Sequence, residues 1–416
     1  MKEDAMGNLS MLRVRQRLPR PRIDGLREEV AARMGRLAPS VKPGMSVAIT
    51  AGSRGINEIP LILRTVASVL KDMGAKPYLV SAMGSHGGGT AEGQRSLLAH
   101  LGITEESVGV PLRVTSEAVA VGKTEGGHVL YIDGEALKAD AILPVNRVKA
   151  HTAFQNVLAS GLFKMLTVGL GKVPGAEQVH KLSTAGIYRA IVEMGRLALS
   201  SLPVIGGLAV VENGYEETAA VELLLPSEME SREKELLKYA GSLLPALPAA
   251  RLDLLIVEEM GKNFSGTGMD TNVIGRWKAK GIAEPQFPKI GRIVVLRLSK
   301  ASEGNANGIG LADVTTRKLV EAIDWTPTLM NVRTTGLWER AFCPPFPGSD
   351  RDAVHWAIES LGLSAAGEIL AARIRNTLHI DELWLTPAAL ATAESCDRIG
   401  PPRPLSFSEE GDLLPG

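Results

Sequence analysis

The chain has 416 residues, which at about 150 residues per domain predicts two or three domains rather than one. Lys and Arg number 46 and Asp and Glu also 46, so a formal net charge of zero leaves no global field to steer the chain toward nucleic acid or an anionic membrane. A composition 45% hydrophobic and 22% charged excludes disorder as the main state, and only 7 Phe, 5 Tyr and 5 Trp argue against stacking platforms for single-stranded nucleic acid.

Arg13, Arg15, Arg17, Arg20 and Arg22 interrupt any apolar run of the kind a signal peptide needs. From residue 45 onward short apolar β-branched runs alternate with helical periodicity, the pattern of a parallel α/β architecture. A strand is predicted over 45–50, a polar loop over 52–57, and then a helix in which Ile59, Ile62, Leu63, Val66, Val69, Leu70 and Met73 share one face up to Gly74. The unit repeats as a strand over 77–83, a glycine-rich loop over 84–89 and a helix over 91–101. Further strands are expected over 129–132 and 141–145. Residues 146–180 are too rich in Gly and Lys for a plain core helix and read as part of a site. A strand over 205–211, a helix over 227–244 and a linker over 245–250 follow. The pattern then restarts with a strand over 252–258, a glycine-rich loop over 261–275, a strand over 293–298 and helices near 313–323 and 352–361. A strand over 379–385 precedes a Pro- and Ser-rich stretch that reads as a mobile or docking tail.

The expected fold is therefore α/β, with two α/β domains of mostly parallel sheets and an active-site cleft between them. Residues 1–250 form the first domain, 251–390 the second and 391–416 the tail. Cys343 and Cys396 make no CxxC pair, so neither a disulfide framework nor a cysteine zinc site is expected. No stretch approaches the roughly 18–20 apolar residues of a membrane span. A soluble cytoplasmic protein is the expectation.

In open parallel sheets ligands bind beyond the carboxyl ends of the strands, and three polar loops qualify. They are Ala51-Gly52-Ser53-Arg54-Gly55, Gly84-Ser85-His86-Gly87-Gly88-Gly89-Thr90 and Asn146-Arg147-Val148-Lys149-Ala150-His151. Arg54 could clamp a carboxylate or phosphate through its planar fork, or make a surface ion pair instead. His86 stands among glycines that let a ligand approach, and His151 follows Lys149. His100, His128, His355 and His379 lack such a context. Residues 160–180 contain no Walker motif, since Lys172 is followed by Val173, and no GxGxxG, HExxH or GxSxG occurs. Lys164, flanked by small and apolar residues, could form a covalent bond if its pKa is depressed, or snorkel from a helix. His180 is a possible metal ligand.

The ordered pieces GSR, GSHGGGTAEGQ, VNRVKAHTAF, SGLFK and GLGKVPGAEQVH make the sequence resemble the nickel-pincer-nucleotide-dependent lactate racemase family. The resemblance implies a pyridinium-3-thioamide-5-thiocarboxylate mononucleotide that holds nickel and is joined to Lys164, with His180 as the protein's nickel ligand. It implies His86 and His151 as alternating acid and base, and Arg54 as the holder of the substrate carboxylate. A second-domain lysine completes that carboxylate site in the family. Lys278 matches it, with Arg276 a competitor. Ser53, Gly84 and Lys149 are the further cofactor-binding candidates.

Removal of the C2 hydrogen as hydride avoids placing a second negative charge beside a carboxylate, and two histidines near neutrality can serve both hands of the substrate. Family members carry an acid three places before the arginine and an arginine after the second-loop histidine. Here those places are Ala51 and Gly87, so the expected substrate is a 2-hydroxy acid other than lactate, larger or more polar. The implied function is a racemase or epimerase, an isomerase that works by hydride transfer to the nickel-pincer nucleotide, with cofactor biosynthesis enzymes as partners. The competing readings are a 2-hydroxy acid oxidoreductase with the same cofactor and a non-catalytic anion sensor. Arg54, Lys149, Lys164, Lys172 and Lys278 would form a basic cleft inside a neutral shell.

Overall fold

The first strand of the chain, β1 (Ser10–Gln16), pairs antiparallel with residues near the other end, Leu12 lying opposite Leu385 and Arg15 opposite Glu382. In the computed structural model, which describes residues 9–53, 55–149, 158, 160–182, 184–280, 283–362 and 369–416, this pairing helps divide the chain into two units. One runs from Pro19 to Leu244, and the other joins the N-terminal residues up to Leu18 to Pro245–Gly416. The structure thus differs from the expected grouping of residues 1–250. The alternation of buried Leu12 and Val14 with exposed Arg13 and Arg15 suits β1 to a sheet with one wet face, and both arginines grip Glu382 at 2.6 Å.

In the unit Pro19–Leu244, β2 (Ser46–Ala51), β3 (Lys76–Ser81), β4 (Leu112–Arg113) and β7 (Ala141–Leu143) form a parallel sheet in the order β4-β3-β2-β7. β5 (Ala118–Lys123) and β6 (Val129–Asp133) make a separate antiparallel ribbon. β8 (Val145–Arg147), β9 (Gly207–Glu212) and β10 (Thr218–Leu224) make a third sheet, in which β8 and β9 are parallel and β9 and β10 antiparallel. The helix Ile59–Asp72 buries Ile59, Ile62, Leu63, Val66 and Leu70, the face its spacing predicted. Thr90 caps the helix Ala91–His100 by accepting the Gly93 N–H at 3.1 Å. The 18-residue helix Thr184–Ser201 and strand β10 were not among the expected elements. Gly195, which weakens the local helical signal, lies where a side chain would collide with the Phe163 ring.

In the other unit, β11 (Arg251–Met260) lies between β12 (Lys289–Leu298) and β13 (Ala371–Ile374), parallel to both. β14 (Glu382–Leu385) and β1 continue the sheet antiparallel, and β15 (Cys396–Arg398) and β16 (Arg403–Pro404) pair with β1. Among the described residues only the sheet β4-β3-β2-β7 is parallel throughout, so the fold is mixed rather than mostly parallel. The short connections 213–217 and 375–381 can join only antiparallel neighbours, because a parallel return needs a crossover of a dozen or more residues.

The helix expected near 313–323 is shorter, Arg317–Glu321, and a further helix, Trp325–Thr335, begins after Asp324, whose side chain caps it. Of the two readings of the C-terminal stretch, mobile or docking, the structure shows docking. Besides supplying β15 and β16, the stretch buries Leu405 and Leu413, and the Leu413 N–H donates to Asp350 at 2.9 Å. Among the described residues no helix is long and apolar enough to cross a membrane.

Candidate functional site

β2 and β3 run in register to Ala51 opposite Ser81, and the Val145 N–H at the start of β8 donates to Thr50 Oγ1 at 3.0 Å, so the described parts of the three polar loops leave neighbouring strands. Side chains tie the loops together there. Ser53 Oγ and His86 Nδ1 are hydrogen-bonded at 2.5 Å. Arg147 pairs with Glu212, whose other oxygen accepts the Asn57 N–H at 2.6 Å. Ser160 fastens the third loop, donating to the Lys149 carbonyl at 2.6 Å.

The segment that carries Lys164 packs against these loops. A single helical turn, Gly161–Lys164, runs into a π-helical turn, Met165–Gly169, and then the helix Lys172–His180. Such π-turns interrupt the regular hydrogen-bond ladder and recur at functional sites. Asn146 Nδ2 donates to the Gly161 carbonyl at 2.7 Å, and the Gly84 N–H donates to the Gly169 carbonyl at 3.1 Å. Gly52 abuts Met165, where an added Cβ would stand 3.0 Å from the methyl carbon. Lys164 itself is half-buried, Gly84 buried, and His86 and Lys149 exposed.

Two buried ionisable groups hold this arrangement, and neither was assigned this role from the sequence. Lys172, expected in a basic cleft, is 0% exposed. Its ammonium pairs with Asp133 at 2.7 Å and donates to the Ser81 carbonyl at 2.6 Å, Ser81 Oγ at 2.7 Å and Gln94 Oε1 at 3.0 Å. Burial pushes the Lys172 ammonium down and the Asp133 carboxyl up, and each partner's charge opposes the other's shift. Gln94 passes the constraint on, since its Nε2 donates to the carbonyls of Gly84 at 3.0 Å and His86 at 3.4 Å.

The second group is Glu233, on the helix Met229–Ser242, whose Oε2 accepts the N–H groups of Leu162 at 3.1 Å and Phe163 at 3.2 Å. Gly161 is required there: its φ is +77°, and a Cβ would lie 2.5 Å from Glu233 Oε1. Burial pushes the Glu233 carboxyl up to about 8, opposed by the two backbone donors. The folded chain then keeps a proton that the unfolded chain loses near 4.5, so stability falls as pH rises from about 4.5 to about 8 and levels off above. The full effect is roughly 3–5 kcal/mol. Urea unfolding of the native chain and of Glu233→Gln across this range should show the native chain losing stability relative to the variant. A pH-independent difference would exclude the shift.

Arg54 and His151 lie outside the described residues, as does the side chain of His180, whose backbone ends the helix Lys172–His180. The structure brings together Ser53, His86, Gly84, Lys149 and the Lys164 segment. Lys278 belongs to the other unit. Its ammonium donates to the Gly310 carbonyl at 2.6 Å, burial pushes its pKa down, and it lines a cavity of about 660 Å³ with Glu284, Asp313 and Glu339. Arg276, its competitor, is engaged by Asp313 at 2.7 Å and the Leu311 carbonyl at 2.9 Å. Among the described residues no three His, Cys, Asp or Glu gather as a metal-binding group.

Neither protein-family models nor curated proteins give a match to this chain. A solved structure does. The lactate racemase apoprotein from Thermoanaerobacterium thermosaccharolyticum superposes over 88% of this chain and 98% of its own, with a TM-score of 0.53 and 12% sequence identity. This chain has the lactate racemase fold. At that identity the likeness is one of architecture, and within the lactate racemase fold the chemistry must be argued from this chain's own side chains.

Proposed function

We propose that the chain is a racemase or epimerase of a 2-hydroxy carboxylic acid that works with a nickel-pincer nucleotide joined to Lys164. The observation that carries this reading is the junction of His86, through Ser53, with the glycine-lined edge against which the Lys164 turn packs. Two features of the described residues support the cofactor. Lys164 offers a half-buried amine, and Gly52 and Gly84 keep side chains out of the edge beside it. In this reading Ser53, Gly84 and Lys149 contact the nucleotide and His180 is the protein's ligand to nickel.

Bound there, the cofactor supplies a reversible acceptor for the hydrogen on C2 of the substrate. Arg54 binds the carboxylate. His86 and His151 take turns as base and acid on the substrate hydroxyl, one for each hand, because an imidazole exchanges protons readily near neutral pH. Ala51 and Gly87, small where lactate racemases carry charge, favour a substrate other than lactate. The enzymes that build the cofactor are the implied partners.

The test is to co-express the chain with those enzymes, measure nickel and intact mass, and follow single-enantiomer 2-hydroxy acids by chiral chromatography. Bound nickel, a mass increment and a mixture of stereoisomers are expected. Net accumulation of a keto acid would replace this reading with an oxidoreductase. Anion binding without exchange of the C2 hydrogen would replace it with a sensor.

A further inference from the structure

The loop of His86 is fixed at its backbone from several directions. The His86 N–H donates to the Met83 carbonyl at 3.1 Å, while its own carbonyl accepts from Gly89 N at 3.2 Å and from Gln94 Nε2 at 3.4 Å. Gly87 cannot be exchanged for a larger residue without moving the loop, because its φ is +63° and a Cβ would lie 2.6 Å from the Gly93 carbonyl carbon. The His86 ring is exposed. A ring on a fixed backbone can still rotate, and what Nδ1 meets is Ser53 Oγ at 2.5 Å, from the loop that leaves the neighbouring parallel strand.

From this geometry we infer that Ser53 is the positioning residue for His86, holding the ring orientation in both of its protonation states. A hydroxyl both donates and accepts. When His86 is neutral with its proton on Nε2, the Ser53 hydroxyl donates to the Nδ1 lone pair. When His86 is protonated, Nδ1–H donates and Ser53 Oγ accepts. A carboxylate in the same place would hold the imidazolium and bias the ring toward its charged form. A neutral hydroxyl adds no such bias, which suits a histidine that must give and take a proton with similar ease. This role rests on the proposal that His86 is an acid and base, and it assigns Ser53 a duty toward the histidine beyond any contact with a nucleotide.

The test reads the ring itself on the cofactor-free full-length chain. Selective 15N-histidine labelling gives the His86 resonances, identified by their loss in His86→Gln. In Ser53→Ala, the Nδ1 resonance is expected to shift from its native position, with the thermal unfolding midpoint unchanged. Ser53→Thr, which keeps the hydroxyl, is expected to restore the native position. An Nδ1 resonance identical in the native chain and Ser53→Ala overturns the assignment, whatever the isomerase assay shows. A shifted and rescued Nδ1 in a chain that interconverts no 2-hydroxy acid upholds the Ser53–His86 coupling and removes only the proposed reaction.

Discussion

Lys164→Ala, produced with the cofactor-making enzymes, is expected to fold and to carry none of the covalent mass increment that the native chain gains. The residues that anchor this turn are buried Gly161, Leu162 and Phe163, tied down by Glu233 and Asn146, whereas Lys164 itself is half-buried. Alanine is a good helix former, so the turn itself should persist. What disappears is the amine. Lys164→Arg separates nucleophile from charge, because a guanidinium stays protonated and cannot replace an amine in bond formation. Both variants should read zero adduct by intact mass. An adduct that persists in Lys164→Ala would remove Lys164 from the proposed function.

Lys172→Met is expected to cost about 3–5 kcal/mol of stability, because it strands the Asp133 carboxylate in the interior. Asp133 Oδ1 keeps the N–H groups of Glu135 at 2.8 Å and Ala136 at 2.9 Å, but Oδ2 loses the ammonium 2.7 Å away. Ser81 and Gln94 lose a donor at the same time, which loosens the loop that carries His86. Denaturant unfolding of Lys172→Met, Asp133→Asn and the double variant should give a coupling energy above about 1 kcal/mol, as expected for groups in direct contact. The double variant should recover part of the loss, since no full charge is then buried alone. A loss below about 1 kcal/mol for Lys172→Met would show that the pair does not carry this load.

The strand ends beside the candidate site were legible because local patterns write them directly. An apolar run that stops at a polar stretch marks a strand end, and β2 and β3 do end at the first two loops, whereas Asn146 and Arg147 of the third belong to β8. The role of Lys172 was misread for a physical reason. A lysine in a Gly-rich stretch looks like an anion binder, and nothing nearby in sequence announces Asp133 or Gln94 as its partners. Glu233 had a signal. It shares one helical face with Met229, Leu236, Leu237 and Ala240, all buried, and an acid on an apolar stripe is a candidate for a paired or protonated interior group.

The sequence by itself determined the α/β class, the βα units from residue 45 onward and the residue types gathered in the loops, because periodicity and glycine placement are local properties. Only the tertiary structure decided that Ser10–Gln16 and the C-terminal stretch belong to one sheet, that Ser53 meets His86, and that Lys172 faces inward. Each of these joins residues far apart along the chain. Such contacts are set by how whole strands and helices pack, and no short window of sequence encodes their partner.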